Sequence, residues 1–252
     1  MPATCVPFVW SEPFRVRAYE AGPDERVSAL TLCDYIQEAA GEQARAHDLE
    51  VFDVGGGRVG TWVLTRFSLR LEGRPAFGAT VHVTTWPSHY DGLRAERDFE
   101  VHGPDGRLAH GTSAWFVLDV ERRRPVRLPP TLTSFGPAER PRALPDVQPP
   151  PTRPAAVVHE GHFSVRRSDL DRVGHANHVR YAEWVLETLP DPLPGVLVAL
   201  DVSFKTEAVR GDTVVASAGP APDAASGVWD HHLTRASDGQ TLAVARTRWT
   251  SP

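Results

Sequence analysis

Apolar residues recur at every third or fourth position from Leu30 through Cys33, Ile36 and Ala40 to Ala44. That spacing predicts an amphipathic helix, and Ser28 stands where its cap belongs. A short β-type run, Phe14 to Glu20, precedes it, and four longer runs follow: TWVLTRFSLRL, ATVHVTTWPSHY, LRAERDFEV and RLAHGTSAWFVLD. Turn signals part them at Gly73 to Pro75, at Asp91-Gly92 and in the GPDG of 103–106. The order then repeats. HFSVRRS reads as the short strand and NHVRYAEWVLETL as the helix, while VLVALDVSFKT, DTVVASA, GVWDHHLTRA and QTLAVARTRWT read as strands. Long antiparallel strands that curl around one apolar helix bury it against the concave face of their sheet.

The repetition can be checked by offset. Gly78 and Gly211 are 133 residues apart, as are Asp105-Gly106 and Asp238-Gly239, and Trp115 and Trp249 are 134 apart. Three landmarks whose offsets agree to within one residue argue for an internal duplication. The helix tyrosines, Tyr35 and Tyr181, pair at 146, so the connections around the two helices differ in length. Proline marks the boundary between the copies. Many of the 23 prolines fall between Arg122 and Pro154, and a residue with fixed φ and no amide donor suits neither regular helix nor inner strand. The chain reads as an N-terminal domain at 1–121, a Pro/Arg-rich linker at 122–154 and a C-terminal domain at 155–252.

Composition narrows the class. With 41% hydrophobic and 23% charged residues, the 252-residue chain has material for an ordinary core. Its net charge of −5 argues against a nucleic-acid binder. The two cysteines, Cys5 and Cys33, have no metal-ligand spacing, so neither a zinc site nor a disulfide framework is expected, and no cofactor is implied. The first residues lack a basic start followed by an apolar run, so no signal peptide is expected, and no run nears the roughly 18 apolar residues of a membrane span. A cytoplasmic protein that touches neither membrane nor nucleic acid is the expectation.

One segment stands apart. RSDLDRVGHANHVRYAEWVLE, from Arg167 to Glu187, packs Asp169, Asp171, His175, Asn177 and His178 just ahead of the second helix. Asp169 and Asp171 also fit plain turn and cap positions. His175 also fits a structural hydrogen-bonding role.

Taken together, LCDYIQEAAGEQARAHDL, GTWVLTRFSLRLEGRPAFGATVHVTTWP, RDFEV, GTSAWFVLDVERRRPVRLP and SDLDRVGHANHVRYAEWVLETLP resemble the bacterial and plastid acyl-ACP thioesterases. The resemblance runs from about Phe14 to the C-terminus. It implies an α+β chain of two tandem hotdog domains, each a long antiparallel sheet wrapped around a central helix. It also implies hydrolysis of the thioester of a fatty acyl chain on acyl carrier protein, with the catalytic residues in the C-terminal domain and the acyl pocket in the N-terminal one. The family pattern D-x-N-x-H-x-N-N-x-x-Y places its Asp at Asp171, its His at His175, the first Asn of its pair at Asn177 and its Tyr at Tyr181, with a later acid at Glu207. Two positions depart: Val173 replaces the first Asn, and His178 replaces the last. Plant relatives carry a cysteine where this chain has Ala208; with cysteines only at 5 and 33, the mechanism left is attack by water.

Thioester hydrolysis needs an activated water, a polarised carbonyl and a proton for the departing thiolate. The resemblance implies Glu207 as general base or water-orienting group, His175 as polariser or proton relay, Asp171 as the group holding the loop and the imidazole tautomer, and Asn177 as thioester contact or cap. Free amides at the helix start are expected to receive the carbonyl oxygen. Leu32, Ile36, Trp62, Leu64 and Trp86 are the implied acyl lining, each equally at home as core, and Val173 and His178 complete the substrate side. Glu207 also fits a strand-end surface acid. Arg122, Arg123, Arg124, Arg172 and Arg180 are the implied docking surface for the acidic carrier protein, or else solvated charge. Two readings compete: a catalytically weak or silent acyl-carrier-binding protein, and an acyl-CoA thioesterase or dehydratase-like hotdog enzyme. A monomer or a homodimer is compatible with a chain that already holds two copies of the fold.

Overall fold

Ser28 Oγ accepts the amide of Thr31 at 3.2 Å and starts helix α1, Ala29–Ala46. The computed structural model describes residues 8–133, 137–146, 148–191, 193–222 and 227–250; Cys5 lies outside them. The chain divides into two units, Met1–Thr65 with Leu71–Val147, and Arg66–Arg70 with Gln148–Pro252.

In the first unit, strands β1 (Trp10–Arg15), β2 (Val51–Asp53), β3 (Val59–Leu71), β4 (Thr80–Tyr90), β5 (Arg94–Gly103), β6 (Gly106–Asp119) and β7 (Arg124–Val126) frame α1. Their order is β1-β4-β5-β6-β3, with β2 on β3 and β7 on β6. The helix buries Leu32, Cys33, Tyr35, Ile36, Ala39 and Gln43. Phe14 of β1 stacks on Tyr35 with ring centroids 4.7 Å apart, and Phe14 pairs with Val81 of β4. Side chains alternate across a strand, so Val81, Val83 and Thr85 share the helix side. Fully burying a side chain such as Leu32 or Ile36 stabilises the unit by about 1.5–3 kcal/mol.

The same alternation turns Trp86 the other way. Its face is covered by the proline-rich segment: Ala138 and Ala143 pack on it, and the Arg140 guanidinium lies 4.2 Å from the ring centroid. Arg142 Nε donates to Asp98 Oδ2 at 3.0 Å and the Ala143 amide to the same oxygen at 2.8 Å. Asp98 is fully buried. This segment is not bare extended chain. Pro125 sits in β7 at a sheet edge, where no amide is needed, and Pro130 opens the short helix α2, Pro130–Thr133, as proline does at a first helical turn. Leu128 and Leu132 bury beside Leu49 and Phe52.

The second unit contains β8 (His159–Ser164), α3 (His178–Glu187), β9 (Val196–Phe204), β10 (Thr213–Pro220), β11 (Val228–Arg235) and β12 (Thr241–Thr250). The order is β9-β12-β11-β10-β8, and residues 66–70 of β3 pair antiparallel with β9. Helix α3 packs on β8, β10 and β11. Each unit is a hotdog domain.

The duplication survives in atomic detail. Trp115 Nε1 donates to Ser113 Oγ at 2.8 Å, and Trp249 Nε1 to Thr247 Oγ1 at 2.9 Å. Gly78 and Gly211 both take positive φ, at 78° and 90°. The tyrosine pairing fails, however. Tyr35 lies seven residues beyond the cap Ser28, and Tyr181 four beyond the cap Asn177, so they sit on different helical turns.

Candidate active site

The loop before α3 is built by its own backbone. Asp171 N–H donates to His175 O at 2.8 Å, and Gly174 takes φ 85° to close the turn. Asp171 Oδ1 accepts the amides of Val173 at 2.9 Å and His175 at 3.3 Å. Asp171 thus organises the loop through backbone amides. Asp169 is buried and locked by Arg166, whose amide and guanidinium both bond it, at 2.7 and 2.8 Å. Burial pushes the Asp169 carboxyl up, but the Arg166 bonds outweigh this and hold it below the usual range; it is a structural turn residue.

Asn177 Oδ1 accepts the Val179 amide at 2.9 Å and caps α3. The sequence leads one to expect several free amides here. Instead Val179 N–H is used by the cap, Asn177 N–H reaches Asp169 O at 2.8 Å, and Arg180 N–H reaches Asn177 O at 2.9 Å. Among the described residues, the His178 amide, the first of the helix, makes no hydrogen bond.

Glu207 lies on the loop after β9, and three groups fix that loop. Ala176 N–H donates to Ala208 O at 2.8 Å, joining the histidine loop to the glutamate loop, and His175 forms a β-bridge with Val209. Tyr181 Oη donates to Thr206 O at 3.2 Å and accepts the Ala208 amide at 2.8 Å, so one phenol holds the backbone on both sides of Glu207. Arg235 Nη2 donates to Glu207 O at 2.9 Å, and its Nε to Asp212 Oδ2 at 3.0 Å. Together these bring His175 Nε2 to 3.5 Å from Glu207 Oε2, with both side chains about one-third exposed. Burial pushes the Tyr181 phenol up to about 12, so it remains protonated. Arg235 and Asp212 escape the sequence reading because their contacts are to backbone across distant strands; only the charged Arg210-Gly211-Asp212 turn hints at an anchor.

His178 lies between aromatic rings, with Phe67 at 5.9 Å and Phe204 at 6.1 Å. Desolvation pushes its imidazole down to about 4, so it is neutral near pH 7. Val173 is 62% exposed. In the first unit, Leu32 and Ile36 are buried on the sheet side of α1. Trp62 is half-buried and packs on Phe52 and Trp115, its Nε1 donating to Leu49 O at 2.8 Å; Leu64 is half-buried. Trp86 faces away from α1 and so is not between helix and sheet. Arg122, Arg123, Arg124 and Arg172 are exposed, whereas Arg180 pairs with Glu183. Among the described residues no cluster of three His, Cys, Asp or Glu is placed to hold a metal, and no helix is long and apolar enough to cross a membrane.

Comparison with known proteins places these units. The acyl-ACP thioesterase N-terminal domain matches residues 7–135, and the acyl-ACP thioesterase C-terminal domain matches 153–251. The chloroplastic palmitoyl-acyl carrier protein thioesterase of Gossypium hirsutum is 30% identical over 96% of this chain, which spans 63% of that relative's length. The chloroplastic dodecanoyl-[acyl-carrier-protein] hydrolase of Cinnamomum camphora is 26% identical over 96% of the chain and 67% of its own. The 12:0-ACP thioesterase from Umbellularia californica shares the fold at TM-score 0.82 and 23% identity, covering 97% of this chain and 98% of its own. An acyl-ACP thioesterase from Bacteroides thetaiotaomicron does so at 0.82 and 19%, covering 95% and 97%. With two matching domains in tandem over most of its length, this chain belongs to the acyl-ACP thioesterase family.

Proposed function

We propose that this protein hydrolyses the thioester of a fatty acyl chain carried on acyl carrier protein, releasing the free acid. The observation that carries the reading is the approach of His175 Nε2 to within 3.5 Å of Glu207 Oε2, beside a helix start whose His178 amide has no partner among the described residues. Glu207 takes a proton from water as the water adds to the thioester carbon. The His178 amide receives the carbonyl oxygen as it gains charge; a donor of this kind contributes about 3 kcal/mol in comparable acyl-transfer sites. As the C–S bond breaks, His175 relays the proton taken up by Glu207 to the departing thiolate. Asp171 and Asn177 hold the loop and the helix cap on which these groups ride.

The acyl chain lies between α1 and the first unit's sheet, against Leu32 and Ile36, with Trp62 and Leu64 at its border. Val173 and His178 contact the thioester end. Arg122, Arg123, Arg124, Arg172 and Arg180 attract the acidic carrier. The protein works in the cytoplasm as a monomer or homodimer, which cell fractionation and sedimentation check.

The test is thiol release from a panel of acyl-ACPs. His175→Ala and Glu207→Ala should each lower kcat by at least about a hundredfold. Unchanged turnover in both variants refutes the site. Changing the five arginines to Glu should raise KM for acyl-ACP and leave a short acyl-CoA unaffected.

A further inference from the structure

Arg97 of β5 is a cation that the hydrolytic site does not use. It faces α1: its Nη1 donates to Gln43 Oε1 of the helix and to Thr85 Oγ1 of β4, the latter at 3.2 Å. Gln43 and Thr85 are fully buried and neutral. A guanidinium has five N–H donors, and among the described residues neither its Nε nor its Nη2 has a partner and no carboxylate pairs with it. Arg97 keeps partial solvent exposure. Desolvation pushes Arg97 down to about 10. A desolvated cation with spare donors is costly until an acceptor reaches it.

The second unit supplies an internal control. Thr85 and Phe99 pair in the first unit as Ala218 and His231 do in the second, and Asp98, bonded to Arg142, matches Asp230, bonded to Arg246. That register sets Trp229 where Arg97 stands. Trp229 packs on Leu189, Ala218 and Trp249 and closes its position with apolar surface. The helices differ at the same end. Helix α1 has 18 residues and α3 has 10, and the added turns carry Gln43. The first unit therefore has both the cation and the extra helix that brings a carboxamide to it. Gln43 lies on the buried stripe of Leu32 and Ile36, about 16 Å along the axis from Leu32 at 1.5 Å per residue.

We infer that Arg97, Gln43 and Thr85 form one end of the acyl slot in the first unit and recognise a hydrogen-bond acceptor on the chain that fills it: a hydroxyl, an oxo group or a carboxylate. This rests on the reading of the slot given above. A methyl terminus that reaches the cluster leaves the guanidinium unpaired, and sites built to bond a polar group discriminate strongly against analogues lacking it.

The test compares acyl-ACPs of equal length ending in methyl, hydroxyl or carboxyl. At the length that reaches the cluster, the polar-ended chains should show kcat/KM about tenfold or more above the methyl-ended one. Arg97→Met should reverse the order. Gln43→Glu conserves volume and places a carboxylate on the guanidinium; it should abolish the preference for the carboxyl-ended chain. Equal rates for all three endings at every length, with a ratio unmoved by Gln43→Glu, overturn the inference. If no acyl-ACP is hydrolysed, the proposed function fails instead, and the cluster is read by calorimetry with the free long-chain dicarboxylic acid. Binding that Gln43→Glu weakens tenfold supports the cluster, and binding equal in wild type and variant, or none, overturns it.

Discussion

Tyr181→Phe removes one oxygen and little else. The ring keeps its contacts, with Trp184 at 5.2 Å and Phe204 at 5.4 Å, so no cavity opens. What goes is the acceptor for the Ala208 amide at 2.8 Å and the donor to Thr206 O at 3.2 Å. Ala208 is fully buried, so its amide finds no water. An orphaned buried donor costs about 1–3 kcal/mol. In a chain of this size each kcal/mol lowers Tm by about 2–4 °C. The glutamate loop is not released, because Arg235 still holds Glu207 O and Ala176 still holds Ala208 O. It should shift rather than unfold, and a misplacement approaching 1 Å costs up to about a hundredfold in rate. The expected result is a fall in kcat of about tenfold to a hundredfold with KM little changed, alongside a Tm lower by several degrees. Calorimetry and thiol release on the same preparation measure both. In a Glu207→Gln background the Tm loss should persist while the additional kinetic loss disappears. A Tyr181→Phe enzyme with wild-type Tm and kcat would show that the phenol does not position Glu207.

Other expectations follow from the same geometry. Asp171 serves amides through Oδ1, which a carboxamide oxygen can replace, so Asp171→Asn should retain most activity where Asp171→Ala loses it; equal loss in both would make Asp171 an ionised participant. Val173→Asn restores the family's residue at an exposed position and should raise kcat without changing Tm, as read by thiol release and calorimetry. His231 is fully buried, and desolvation holds it down to about 3, so below an ordinary histidine pKa of about 6.5 the unfolded chain gains a proton the folded one refuses. Stability is therefore full above that pH and falls as pH drops; from pH 7 to 5 this site removes about 2 kcal/mol, and urea unfolding should show His231→Phe abolishing that share of the loss.

The elements were legible because their periods are clean. Long strands such as β3 and β12 span alternating or near-continuous apolar residues, and the two long helices carry side-chain caps, Ser28 and Asn177. The meeting of His175 with Glu207 was visible only through a family pattern, since 32 residues and a full strand separate them. The resemblance misplaced Trp86 for a definite reason: an aromatic residue in a strand that reads as buried on both faces gives no sign of which face it takes. What decides it is the proline-rich segment, whose Arg140 and Arg142 bind the far side of the sheet, and the proline content that marked this segment as a linker gave no sign of these partners. The Tyr35–Tyr181 match failed similarly, because aromatic identity outweighed distance from the cap.

The duplication explains why the proposed catalytic pair has no counterpart in the first unit. Bridges Ala21–Val27 and Arg26–Ala76 in the first unit repeat as Leu170–Ala176 and His175–Val209 in the second. Positive φ recurs at Glu25 and Gly174, and the cap at Ser28 and Asn177. This register sets Arg26 where His175 stands, and the 133-residue offset of Gly78 and Gly211 sets Arg74 where Glu207 stands. In the first unit Arg26 Nη1 donates to Arg74 O at 2.8 Å, and Arg74 pairs with Asp24. Guanidinium groups offer no base for water. The backbone scaffold is common to both copies, and only the second carries an imidazole and a carboxylate, the proposed pair, at these two positions.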